Sequence, residues 1–299
     1  MTQSEFLQQL INGFSLGSVY ALIALGYTMV YGVLGFINFA HSDVFMIGAF
    51  AGYYLGRRLP PETVGGGLLV MAGAMICCAL LGMLVERLAY RPLRSRSKLT
   101  VLITAIGVSL LLQNLGQRYF GAEVKSFPPV FPVKSLSLGS DLVLNSNQLL
   151  VPCITMVLLV ALQFIVMKTR VGTAMRAVSF NPTASSLVGI NNDAIIAFTF
   201  GLGSALAAAG GILYAMNYQA IEPLMGTLPG LKAFVAAVLG GIGNIPGAAL
   251  GGLFLGVIET FVNSTVASSW TDAISFALLI LILLFRPAGL LGRVRVEKV

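Results

Sequence analysis

The chain has 299 residues, 57% hydrophobic and only 10% charged, with a mean hydropathy of +0.90 and a formal net charge of +7. A soluble domain carries about 25% charged residues. The composition therefore excludes an ordinary soluble enzyme and describes an all-α polytopic membrane protein with spans of roughly 20 apolar residues. The positive charge does not mark a nucleic-acid surface. Twelve of the 18 Lys and Arg fall in three short segments, 87–98, 168–176 and 286–298, the signature of cytoplasmic loops.

The first apolar span covers 10–33, where Gly13, Gly17, Gly26 and Gly32 allow close helix approach. GFINFAHSD at 35–43 then puts Asn38, His41, Ser42 and Asp43 into apolar surroundings, where polar groups are expensive and often functional. The apolar stretch behind it, 44–55, is too short to cross alone. This second element is expected to start inside the bilayer or to cross as a broken helix. Spans at 65–89 and 100–119 surround the basic run 86–98. The polar loop 121–147, with Pro128, Pro129 and Pro132, lies outside if Lys98 is inside, and 148–167 returns.

The segment 168–193 is the longest polar stretch that reads as ordered. Lys168, Arg170 and Arg176 mark it as cytoplasmic. Gly172 is expected to break from the preceding span, leaving 173–179 for about two helical turns. Asn181 reads as an N-cap with Pro182 at the first helical position, and Gly189 as a left-handed stop. The result is a capped helical knob between two spans, and such a knob implies a docking partner.

The chain leaves the cytoplasm again at 194–214. A short apolar run at 231–239 leads into GGIGNIPG at 240–247, a turn by every local rule, with Gly240, Gly241, Gly243 and Asn244 at its centre. The spans 248–262 and 271–285 follow, the latter anchored by Trp270 and closed by Arg286. Glu259 sits mid-span and needs a partner; Glu222 and Asp272 read as outer-surface charges. Counting back from the basic carboxyl end gives nine crossings with the amino terminus outside. Arg57 and Arg58 then fall on the wrong side, so eight crossings stays open.

FSLGSVYALIALG at 14–26 aligns with FGLGSALAAAGGI at 200–212, and a polar interruption and a short apolar helix follow each. With nine crossings the copies are oppositely oriented, the inverted-repeat plan of many transporters. The chain is then one membrane domain, 1–299, with repeat halves at about 10–119 and 194–286 joined by 120–193. Cys77, Cys78 and Cys153 lie in apolar stretches and read as packing residues. One histidine and no paired carboxylates argue against hydrolytic chemistry, and the absence of G-x-x-x-x-G-K-[ST] assigns nucleotide binding to another chain.

GFINFAHSD with Met46 and Gly48, the loop TRVGTAMRAVSFNPTASSLVGIN, LKAFVAAVLGGIGNIPGAALGG and FRPAGLLGR together resemble the permeases of branched-chain amino acid ABC importers. The likeness runs the length of the chain and is strongest to the first of the two paired permeases of high-affinity leucine/isoleucine/valine systems. Relatives often carry Gly where Ser42 stands, so this chain departs from the family pattern in the bend at His41–Asp43.

The resemblance implies a multi-pass bacterial inner-membrane subunit with a cytoplasmic carboxyl terminus. It implies a second homologous permease, two cytoplasmic ATPases and an extracytoplasmic amino-acid-binding protein as partners. ATP and magnesium would sit on the ATPases, and this chain would bind no cofactor and perform no catalysis. Thr173, Arg176, Ala177, Asn181, Pro182, Leu187 and Gly189 would form the ATPase-coupling loop. Asn38, His41, Ser42 and Asp43, with Gly240, Gly241, Gly243 and Asn244, are candidates for the translocation path. The glycines read equally as a tight turn, and His41 as a packing residue. The competing reading is an ion-coupled secondary transporter or channel, for which Asp43 and Glu259 are the candidate ion-coupling groups.

Overall fold

The computed structural model describes residues 2–58, 63–133, 135–138, 142–265 and 268–292. Helix α1 (Gln3–Leu34) opens with a reciprocal cap between Thr2 and Glu5 and closes at Gly35, whose φ of 70° only glycine adopts easily. After a non-helical break at 35–40 come α2 (His41–Gly56) and α3 (Val64–Val85). The last of these runs on as a π-helical turn, Glu86–Tyr90, and a 3₁₀ turn, Arg91–Leu93. Ser97 caps α4 (Lys98–Phe120), and Asn145 with Gln148 caps α5 (Ser146–Lys168). Between them lie β1 (Lys125–Ser126), β2 (Ser135–Leu138) and β3 (Leu142–Asn145), with β2 and β3 paired as an antiparallel hairpin. Then follow α6 (Arg170–Phe180), α7 (Pro182–Leu187), α8 (Asn192–Tyr218), β4 (Ala220–Ile221), α9 (Thr227–Gly240), α10 (Ile245–Asn263) and α11 (Thr271–Phe285).

Seven helices among the described residues are long and apolar enough to cross a membrane, and α9 is a shorter apolar helix. At 1.5 Å per residue, α2 and α9 reach about 24 and 21 Å, short of a hydrocarbon core of about 30 Å. The fold is that of an all-α polytopic membrane protein. The central helices are α1 and α8: 78% of the apolar stretch of each is buried, against 22% for α4 and α5.

Small residues let these helices approach, as expected where lipid is as apolar as leucine and close van der Waals packing must drive association. A Cβ on Gly17 would lie 2.7 Å from Leu253 Cα of α10, and one on Gly82 of α3 would lie 2.0 Å from Ser204 Oγ of α8. Gly203 abuts Gly26, and Gly210 abuts Ile23, so α1 and α8 run antiparallel. The packing repeats itself. Where α1 lies on α10 and α9, α8 lies on α3 and α2; α4 covers α2 as α11 covers α9.

Two differences from the sequence reading have local causes. Gly172 does not break the chain: Thr169 does, with ψ at 161°, capping α6 through Gly172 N–H at 3.1 Å. Gly172 lies inside α6 because any Cβ there would meet Ile165 O and Val166 O at 2.2 Å. The segment 121–147 also holds short strands, and β1 pairs with β4, tying the loop to the end of α8. Arg293 of FRPAGLLGR and the rest of the basic carboxyl cluster beyond it lie outside the described residues.

Candidate coupling loop and translocation path

The knob is built as its punctuation suggests. Asn181 Oδ1 accepts from Ala184 N–H at 3.0 Å, Pro182 takes the first helical position, and Gly189 has φ of 86°. Asn192 Nδ2 donates to Pro182 O at 2.7 Å, and Ser185 shares a 2.8 Å hydrogen bond with Asn192 Oδ1, which clamps α7 to the start of α8. α6 buries Gly172, Met175 and Val178, and Ser179 Oγ donates to Gly32 O at the end of α1.

Arg176 and Thr173 come together at the α5–α6 joint. The Arg176 guanidinium donates to Thr173 Oγ1 at 3.3 Å and reaches Met167 O at 3.5 Å, covering the carboxyl end of α5. Ala177 is half-buried. Leu187 is 83% exposed, and so are two residues that the sequence reading passed over, Phe180 at 91% and Val188 at 76%. Three large apolar side chains clustered on a polar loop are the signal that could have found them.

The second group lies where α2 begins. Asn38, His41, Ser42 and Asp43 are all buried. Tyr90 OH donates to Asn38 Oδ1 at 2.6 Å, and Gln113 Nε2 donates to Asp43 Oδ1 at 3.0 Å. His41 packs on Gly26, edge-on to Tyr27 with ring centroids 4.8 Å apart. Ser42 meets Gly226 and Gly230, so the amino-terminal ends of the two short helices α2 and α9 converge inside the bundle. Helix amino termini carry partial positive charge and attract anionic groups such as a carboxylate.

Gly240, Gly241, Gly243 and Asn244 lie apart from this group, at the far end of α9. Asn244 caps α10 through Gly247 N–H at 3.2 Å and donates to Leu291 O at 2.7 Å. Leu290 and Leu291 N–H donate to the carbonyls of Leu239 and Gly240, so the GLLG segment closes the end of α9. Close packing requires Gly240, where a Cβ would lie 1.9 Å from Gly247 O.

Glu259 has its partner. Lys232 Nζ lies 2.6 Å from Glu259 Oε1 and 2.7 Å from Asp272 Oδ1, which joins α9, α10 and α11. Asp272 is thus no simple surface charge, although it is half exposed. The ionisable group inside an apolar run was the available signal for Lys232.

Buried central helices, two short converging helices and a capped knob at one end define a polytopic helical membrane protein. Residues 9–283 match the family described as branched-chain amino acid transport system / permease component, and the chain belongs to that family. It is 44% identical over 302 residues to the high-affinity branched-chain amino acid transport system permease protein BraD of Pseudomonas aeruginosa, covering 99% of this chain and 98% of the relative. It is 43% identical to LivH of Escherichia coli, a protein of the same description, over 98% of both chains. More distantly, it is 26% identical to the ribose import permease protein RbsC of Haemophilus influenzae over 89% of this chain and 80% of the relative.

Proposed function

We propose that this chain is the membrane-spanning subunit of an ATP-driven importer that moves branched-chain amino acids across a bacterial inner membrane by alternating access. A second homologous permease completes the path, and an extracytoplasmic binding protein delivers substrate. Two ATPases, which hold ATP and magnesium, dock on the cytoplasmic knobs of the two permeases. The observation that carries this reading is the α6–α7 knob, capped at both ends and clamped to α8, on a chain of this permease family. The inverted repeat, 10–119 against 194–286, is supported by the antiparallel α1 and α8 and their equivalent packing. With the short helices α2 and α9 counted beside the seven long spans the crossings number nine, an odd number that supports an amino terminus outside when the carboxyl terminus is cytoplasmic.

The secondary-transporter reading needs a buried ionisable group free to take a coupling ion. Of the two candidate groups, Glu259 is paired with Lys232, and Asp43 accepts a hydrogen bond from Gln113 at 3.0 Å. The deciding experiment co-expresses the permease with its partner permease and ATPases, adds the binding protein, and measures leucine uptake into proteoliposomes. Uptake that requires ATP and both ATPases is expected. Uptake by the lone chain under an ion gradient would overturn the importer reading.

A further inference from the structure

Asp193 stands in the first turn of α8, next to Asn192, which clamps the knob. Two arginines that follow α3 hold its carboxylate, Arg91 of the 3₁₀ turn on one oxygen and Arg94, just past that turn, on the other. Arg94 has a second acidic neighbour. Its Nη1 lies 3.8 Å from Glu86 Oε1, and both atoms are buried without a hydrogen-bond partner. One arginine therefore stands between two carboxylates on different helices, bonded to one and within a small movement of the other.

Glu86 opens the π-helical turn that ends at Tyr90. Such turns mark functional irregularities in helices. Tyr90 is buried, donates to Asn38 at 2.6 Å in the break before α2, stacks on Phe36 and touches Phe200 of α8. A shift of this turn moves the support of the α1–α2 break.

We propose that Arg94 is the moving part of a two-position ion-pair switch, bound to Asp193 in one state of the transport cycle and to Glu86 in the other. This rests on the knob docking an ATPase. Displacement of the knob moves the start of α8 and withdraws Asp193. Arg94 then closes the gap to Glu86, satisfying two buried atoms left open in the present state. The π-helical turn adjusts and, through Tyr90 and Asn38, repositions the start of α2. Asp193, Arg94 and Glu86 are positioning residues, since nothing places them in contact with substrate. Arg94 and Asp193 are partly exposed, at 27% and 34%, whereas Glu86 is buried at 2%, so the exchange brings a cation to a buried carboxylate and leaves Asp193 with Arg91 and water.

The test uses the assembled importer with spin labels at Ser95 and Thr183, both exposed. Asp193→Asn is expected to hold the complex in the Glu86-bound state and Glu86→Gln in the Asp193-bound state. The label separation should then stay, with or without ATP, at opposite ends of the wild-type range. Both variants should retain their ATPases and lose about ten-fold in substrate moved per ATP hydrolysed, a size in reach of coupling mutations. If both keep the wild-type change in separation and the wild-type transport per ATP, the switch is wrong and the docking knob stands. If Asp193→Asn sheds the ATPases, Asp193 belongs to the docking surface and the switch is again wrong. A wild-type complex that binds no ATPase would sink the importer reading and the switch together.

Discussion

Lys232 shows how much a single side chain decides in this bundle. Its ammonium neutralises Glu259, whose side chain is only 6% exposed. Removing one partner of a buried pair leaves the other charge stranded, at about 3–5 kcal/mol, whereas replacing both by apolar groups is often neutral. Lys232→Met should therefore lower the detergent-solubilised melting temperature sharply, and Lys232→Met with Glu259→Leu should recover most of it. Equal melting of both variants with wild type would show that the pair does not stabilise the fold. Gly26 makes a second case. A Cβ there would lie 2.2 Å from the His41 ring, so Gly26→Ala should destabilise by about 1–3 kcal/mol, the range of core overpacking. His41→Ala should restore the Gly26→Ala variant in the same melting assay; no rescue would remove the contact as the cause. Neither effect is legible in the sequence. Lys232 reads there as one cation in an apolar run, and its partners sit on two other helices.

The knob is the element whose form was most legible, because caps are local. Asn181, Pro182 and Gly189 specify α7 through contacts within a few residues. The start of α6 was not, because Gly172 is required by the approach of α5, a tertiary contact. Side-chain direction was not legible either. Arg176, the natural choice for a charged contact, is turned back onto the end of α5, where a cation complements the helix dipole. The exposed apolar tips are Phe180, Leu187 and Val188. An ATPase cleft that receives this knob should therefore be apolar at its centre, where a few residues carry most of the binding energy. Leu187→Asp and Phe180→Asp should each weaken ATPase co-purification about ten-fold or more while leaving insertion and melting unchanged, since neither side chain is buried. Arg176→Glu should do less to association and more to the stability of the α5–α6 joint. The reverse ranking would assign docking to the charge and not to the apolar tips.

At the scale of the molecule, everything turns on which way the bundle faces. The repeated FSLGS and FGLGS segments pointed to two equivalent helices, and the structure brings them together as the antiparallel core pair α1 and α8. What sequence could not supply is the exchange of partners, α1 on α10 and α8 on α3, because each pairing joins helices far apart in the chain. The basic segments 86–98 and 168–176 share the end of the bundle that carries the knob, where Arg91 and Arg94 meet Asp193, and the positive-inside rule would put that end in the cytoplasm. The β1–β4 pair lies at the other end. In a background with Cys77, Cys78 and Cys153 replaced, a cysteine at Ser186 is the right probe for the knob, because Ser186 is exposed and Ser185 is buried. An impermeant thiol reagent should modify Ser186→Cys only in inside-out vesicles, and Glu123→Cys, exposed beside β1, only in intact cells. The two positions are separated by one crossing, α5, so they must respond oppositely if that helix spans. Labelling of Ser186→Cys in intact cells would place the knob outside, out of reach of any cytoplasmic ATPase. It would overturn the orientation and the coupling role together. Labelling of both positions from one side would instead show that α5 does not cross, and with it the nine-crossing arrangement and the inverted repeat would fall.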